Sequence, residues 1–122
     1  MYIIPMNDLS ISDWSENELW VVETTTKERW GQKIDIEQAS TEMRLSKGST
    51  QLVECPALFW LAPDGTHFVI VKIGDSRYKA QFYYRGFQMY GTGVDAYDNI
   101  GDCVTNLLQI QADHHAREAG DA

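Results

Sequence analysis

A chain of 122 residues, 43% hydrophobic and 23% charged, has ordinary globular composition. It is long enough to bury a core without metal or disulfide staples. Its 18 acidic residues against 10 basic ones, a formal net charge of −8, argue against binding through nucleic-acid phosphates or anionic membrane surfaces, which need clustered Lys and Arg, and permit a basic protein partner, although such acidity also serves solubility alone.

The start, Met1 to Asp8, lacks the basic region and apolar stretch of a signal peptide, and no segment approaches the roughly 20 apolar residues of a membrane span. A cytoplasmic protein with no membrane partner is the expectation. The chain reads as one domain, 1–122, with a frayed tail at about 118–122. Cys55 and Cys103 both fall among apolar residues and read as small buried hydrophobes.

Ser15-Glu-Asn-Glu18 has the S-x-x-E spacing of a helix-capping box. The run Trp20-Val-Val-Glu-Thr-Thr-Thr26 behind it is β-branched, which predicts a strand over Leu19 to Thr26 after at most one helical turn. Asp35-Ile-Glu-Gln38 resembles a second cap. Ile36, Ala39 and Met43 then share a face, Arg44 and Lys47 are basic near the end, and Gly48 suits the position past a helix. A helix is predicted there; an alternating strand through Ile34, Ile36, Met43 and Leu45 is the competing reading.

Leu52 to Leu61 is a short, nearly continuous apolar run, predicted as a strand with Pro56 at a bulge or an edge. Ala62-Pro63-Asp64-Gly65 is a tight hairpin turn by composition. Thr66 to Ile73 is dense in β-branched residues, and Gly74 to Arg77 makes a second turn. Tyr78 to Arg85 alternates. Tyr78, Ala80, Phe82 and Tyr84 lie on one face, and Lys79, Gln81, Tyr83 and Arg85 on the other. Phe87 and Met89 reverse that phase, as a bulge at Gly86 would. After Gly91-Thr-Gly93, with Asp95 or Asp98 as cap, Ile100, Cys103, Val104, Leu107 and Leu108 recur at helical spacing, with Arg117 in the last turn. The predicted fold is α+β, an antiparallel sheet of about four strands (meander 52–90) with a C-terminal amphipathic helix packed on one face. Val69, Val71, Phe82 and Leu107 are expected to share a single core.

No arrangement carries a catalytic signature. Gly91-Thr-Gly-Val-Asp-Ala96 matches G-x-G-x-x-A, but no parallel strand follows it, so a glycine-rich turn is the better reading. Asp113-His114-His115 reads as a solvated helix end, because adjacent helical residues point about 100° apart. Cys103 sits in an apolar stripe that would raise its pKa and hide it from a base. Glu54 stands alone in an apolar strand and is expected to point outward. No catalytic residue, cofactor or metal is therefore assigned. The sharpest hint is the sheet face with Lys79, Gln81, Tyr83 and Arg85, because Tyr and Arg anchor protein interfaces.

The expected function is a non-enzymatic, acidic protein-binding module, an adaptor or inhibitor of the kind mobile elements and toxin antagonists supply. The alternative is a small ligand-binding or enzymatic domain with its pocket between sheet and helix, for which Glu54, His67 and the Gly91–Gly93 turn are the candidates.

Overall fold

The computed structural model describes residues 11–44, 48, 50–84 and 89–118. The elements are α1 (Glu16–Trp30), β1 (Glu37–Met43), β2 (Val53–Leu61), β3 (His67–Gly74), β4 (Arg77–Tyr83), β5 (Met89–Gly91) and α2 (Ile100–Glu118). The strands form one antiparallel five-stranded sheet in the order β1-β2-β3-β4-β5. The α+β antiparallel meander and its C-terminal helix are as expected, with five strands for the expected four or so, but the N-terminal half is not. The expected tail, past Glu118, and the expected bulge at Gly86 and Phe87 lie outside the described residues.

Leu19 to Thr26 is helical, not extended. The capping box is fully formed: the Glu18 backbone N–H donates to Ser15 Oγ at 3.1 Å and the Ser15 N–H to Glu18 Oε1 at 2.8 Å. Gly31, at φ 69°, closes the helix in the left-handed region with its N–H on Lys27 O. Thr26 Oγ1 donates back to Val22 O at 2.9 Å, so a β-branched polar side chain is accommodated on the buried side. Two good end signals and tertiary packing outweigh the weak strand propensity between them.

The segment predicted as a helix after Asp35 is instead β1. All seven of its residues pair with β2, from Glu37↔Phe59 to Met43↔Val53. Ladder hydrogen bonds along a whole strand override a modest helical pattern, and the strand of the competing reading forms over Glu37–Met43, past Ile34 and Ile36, with Leu45 outside the described residues. Pro56 pairs with Ser40 of β1, while the β2–β3 register begins one residue later at Ala57↔Val71. Its missing N–H therefore costs no paired β3 position.

Both helices pack on one face of the sheet. The core between them contains Leu58, Trp60, Phe68, Ile70, Tyr78 and Phe82 from the strands, Val22 from α1, and Ile100, Cys103, Val104, Leu107 and Leu108 from α2. Trp60 stacks on Phe68 at 5.2 Å, and Trp30 at the end of α1 meets the same ring at 5.6 Å. The single-core expectation needs correction here. Phe82 and Leu107 belong to this core, but Val69 and Val71 do not. They point to the opposite face and cluster with Cys55 and Ala57. Strand parity requires this, since successive side chains alternate across the sheet.

Polar groups fix the layers to one another. At one end, Lys72 Nζ lies 3.0 Å from Glu18 Oε1 and donates to Asp13 O at 3.0 Å. The Tyr78 hydroxyl donates to Glu18 Oε2. Trp14 stacks on Tyr78 at 6.0 Å, with Lys72 Nζ 5.9 Å from its ring. Tyr78 and Tyr97 exchange both backbone hydrogen bonds, which ties the loop before α2 to β4. Asn99, rather than Asp95 or Asp98, caps α2, its Oδ1 accepting from the Asp102 N–H at 2.9 Å.

At the other end, the Asp64-Gly65 turn forms as expected, with Gly65 at φ 90° and Asp64 Oδ1 accepting from the Thr66 N–H. Fully buried Gln111 of α2 donates to Thr66 Oγ1 at 3.0 Å and to Asp64 Oδ2 at 3.3 Å. Burial raises the Asp64 carboxyl, but the Thr66 and Gln111 hydrogen bonds and nearby His115 hold it below the usual range.

Two outcomes test this layering. Leu107, fully buried in the helix-side core, should cost about 2–5 kcal/mol when changed to Ala; urea unfolding measures it, and a cost under about 1 kcal/mol would remove α2 from the core. Burial raises the Glu18 carboxyl, yet Tyr78, the Ser15 N–H and Lys72 together pull it below its ordinary value. A carboxyl depressed on folding contributes stability in full above its unfolded value near pH ~4.3, and loses it as pH falls through the lower folded value. Glu18→Gln should therefore destabilise by about 3–5 kcal/mol at pH 7, by stranding Lys72, and flatten the loss of stability below about pH 4. Adding Lys72→Met should recover much of that loss, measured by denaturant titration across pH.

Candidate functional site

The outer face of the sheet, opposite the helices, has the following composition. Ala39 of β1, Ala57 of β2, Val71 of β3 and Lys79 of β4 stand in register across it, and Glu37, Phe59, Val69, Gln81 and Gly91 form the next row. Leu61, His67, Tyr83 and Met89 form a third. Ala39, Ala57 and Val71 are small beside Phe59, Tyr83 and Met89, and a trough opens on this face. The loop Thr92–Asp95 after β5 adds a wall along one side.

The resulting cleft has a volume of about 900 Å³. Its floor is Phe59, Val69 and Val71, with Met43 at one end and Met89 and Val94 on the far side. Cys55 and Ala57 beneath are fully buried, and Val69 and Val71 are 4% and 6% exposed, whereas Met89 and Val94 on the rim are 50% and 44% exposed. Lys79, Gln81, Thr41 and Thr92 supply polar groups. The Lys79 ammonium lies 3.6 Å from the carboxylate of exposed Asp95, a pair too open to water to hold firmly.

Three of the residues singled out from the sequence meet here. Lys79, Gln81 and Tyr83 are each half-buried and line this cleft. Tyr83 is not a free aromatic knob: its ring stacks on His67 at 4.7 Å with 5° between planes. Arg85 lies outside the described residues. The apolar floor went unassigned in the sequence, although a signal for it exists. β2 and β3 are apolar at both parities, the pattern of strands buried on two faces.

The alternative site between sheet and helices takes none of its expected residues. His67 is on the outer face and Gly91 and Gly93 line the cleft there, while Glu54 is exposed and accepts from Ser40 Oγ at 3.0 Å. A polar hollow of about 410 Å³ does lie where the helix N-termini meet, lined by Ser15, Glu18, Lys72, Tyr78 and Asn99 among others. Lys72 and Glu18 in it already pair with each other, and Tyr78, buried and donating to Glu18, has its hydroxyl pKa pushed well above the ordinary value. The Gly91-x-Gly93 turn is separated from α2 by Val94–Asn99, so its amides do not open the helix as a phosphate cradle requires.

His114 departs from the solvated helix end expected of it. It is half-buried, with its Nδ1 3.0 Å from the Tyr84 hydroxyl and its ring 4.3 Å from that of Tyr90. His115 and Asp113 are exposed. Among the described residues no helix is long and apolar enough to cross a membrane, and no group of three or more His, Cys, Asp or Glu side chains gathers as a metal site would require.

The two thiols lie on opposite sides of the sheet, Cys55 under the outer face and Cys103 in the helix-side core, both fully buried. Burial pushes the Cys103 thiol up to about 12 and raises Cys55 as well. Neither supplies a thiolate at neutral pH. An aromatic disulfide reagent at pH 8 should therefore modify neither in the native protein and both in 6 M guanidinium (about the concentration that unfolds most domains), as followed by absorbance; fast native labelling would show that one of the two is accessible.

No protein-family model, curated protein or solved structure matches this chain.

Proposed function

We propose that this chain is a non-enzymatic binding module, an adaptor or inhibitor, that takes up an extended apolar segment of a protein partner in the cleft on the outer face of its sheet. One observation carries the reading. β2 and β3 are apolar on both faces, while among the described residues both helices cover only one, and the uncovered side is a trough with exposed Met89 and Val94 on its rim. A contiguous apolar surface with a polar rim is the usual form of an interaction site. An extended chain suits a trough five strands wide better than a compact ligand does.

The charge supports a partner whose apolar residues are flanked by Lys or Arg. A net charge of −8 accelerates encounter with such a segment and makes its on-rate fall with added salt. Tyr83, held by its stack on His67, offers rigid area at little entropic cost. A cytoplasmic setting agrees with two buried free thiols.

The test is affinity capture from the native host, followed by calorimetry with the purified partner. Gln81→Arg combined with Met89→Asp places charge in the lining and on the rim of the cleft. It should weaken binding by about 2 kcal/mol or more, with the melting temperature nearly unchanged. Full affinity in that variant would eliminate the cleft as the site, and a salt-independent on-rate would remove the electrostatic part of the reading.

A further inference from the structure

We infer that the apolar segment taken up by the outer-face cleft carries one Asp or Glu inside its apolar run, whose carboxylate replaces that of Asp95 on the Lys79 ammonium. The inference deepens the proposed function and rests on its reading of the cleft as a binding site.

Among the described residues that line the cleft, Lys79 brings the one cation and Asp95 the one anion. Lys79 stands on the outer face by strand parity, in register with Val71 of the floor. β5 ends at Gly91, opposite Gln81, so no β5 residue pairs with Lys79, and the loop Thr92–Asp95 lines the cleft there instead. The ammonium therefore sits between an apolar floor and a wall made of loop.

Its resident partner is a poor one. The two charged atoms are 3.6 Å apart, longer than a charge-assisted hydrogen bond of about 2.7–2.9 Å. The Lys79 side chain is 37% exposed and that of Asp95 97% exposed, so both charges keep their water while the cleft is open. An apolar segment laid over Val69, Val71 and Met89 strips that water from the ammonium, and a desolvated charge without a close counter-charge is strongly unfavourable. Thr41, Gln81 and Thr92 also line the cleft but carry no charge, and Asp95 stands almost wholly in solvent. The occupant itself is then the source of the compensating anion.

This requirement agrees with the charge of the whole protein. The net charge of −8 acts out to about a Debye length, roughly 8–10 Å, and favours Lys or Arg at the ends of the segment. Lys79 acts at contact distance and selects an acid in the interior.

The test pans a phage-displayed library of random dodecapeptides on the full chain, on Lys79→Met and on Lys79→Glu, each shown by circular dichroism to be folded. Apolar dodecapeptides selected by the unaltered chain should carry an internal Asp or Glu at least about threefold more often than the unselected library. Lys79→Met should keep the apolar preference and lose the acid, and Lys79→Glu should exchange the acid for Lys or Arg. The tightest selected dodecapeptide is then synthesised with its acid and with the matching Asn or Gln. Loss of the carboxylate should weaken binding to the unaltered chain at least about tenfold and leave binding to Lys79→Met nearly unchanged. The unaltered-chain arm of that comparison alters only the peptide, so it decides the matter even where a Lys79 variant does not fold.

Apolar dodecapeptides selected without enrichment of acid, or an equal loss with both proteins, overturn the inference and leave the cleft as a binding site. Acid that persists in the Lys79→Met selection puts carboxylate recognition on another residue and also overturns it. Dodecapeptides that bind Met89→Asp as tightly as the unaltered chain lie outside the cleft. That result, or the selection of no apolar dodecapeptide at all, removes the proposed binding site and the inference together.

Discussion

Lys72 carries an ammonium into the layer between sheet and helices, and the architecture on that side depends on how it is neutralised. A lone buried charge costs several kcal/mol, and the neutralising carboxylate comes from Glu18, the third residue of α1 and the last of its capping box. One side chain thus closes a helix, pairs a charge and accepts the Tyr78 hydroxyl. Tyr78 in turn bridges Tyr97 in the loop that leads into α2. The placement of α1, the β3–β4 pair and the approach to α2 are consequently set by a single connected group of polar atoms. Apolar packing alone is non-directional and would tolerate sliding of the helices over the sheet.

The same pinning explains why the opposite face is available. Helices fastened through Lys72 at one end and through Gln111 at the other stay on one side. β2 and β3 nevertheless keep their apolar side chains on both sides. Among the described residues, Ile11, Met43, Val53, Phe59 and Ile73 pack against the cluster of Val69 and Val71 there. The helix-side core and the cleft therefore lie on different faces of one sheet. Substitutions on the cleft rim, at Met89 or Val94, leave the helix-side core untouched.

The meander and α2 were legible because their signals are local and mutually consistent: proline, aspartate and glycine at the turn, β-branched residues in β3, alternation in β4, a helical stripe in α2. α1 was not, for a specific reason. Its buried line is Glu18, Val22 and Thr26, with one apolar member, so hydrophobic periodicity had almost nothing to report. Its caps were readable and were outvoted by propensity. β1 is hidden for the opposite reason. Its residues are mostly exposed, and its strand character comes from pairing with β2, a non-local fact. The site was half legible. Alternation put Lys79, Gln81 and Tyr83 together, but the floor beneath them comes from β2 and β3, and only the register of the sheet makes these neighbours.

β1 also leaves one margin of the sheet unpaired, because it is the terminal strand in the strand order. Its seven residues, Glu-Gln-Ala-Ser-Thr-Glu-Met, contain neither proline nor glycine, and among the described residues no other strand pairs with that margin. What discourages a second chain from adding itself is charge. Glu37 and Glu42 stand near either end, and Glu42 faces Glu54 across the ladder, an arrangement that costs stability within the fold. Acidity here acts as a guard against lateral polymerisation. Screening it with salt, or replacing those glutamates with glutamine, would turn a protective margin into a template for fibrous assembly.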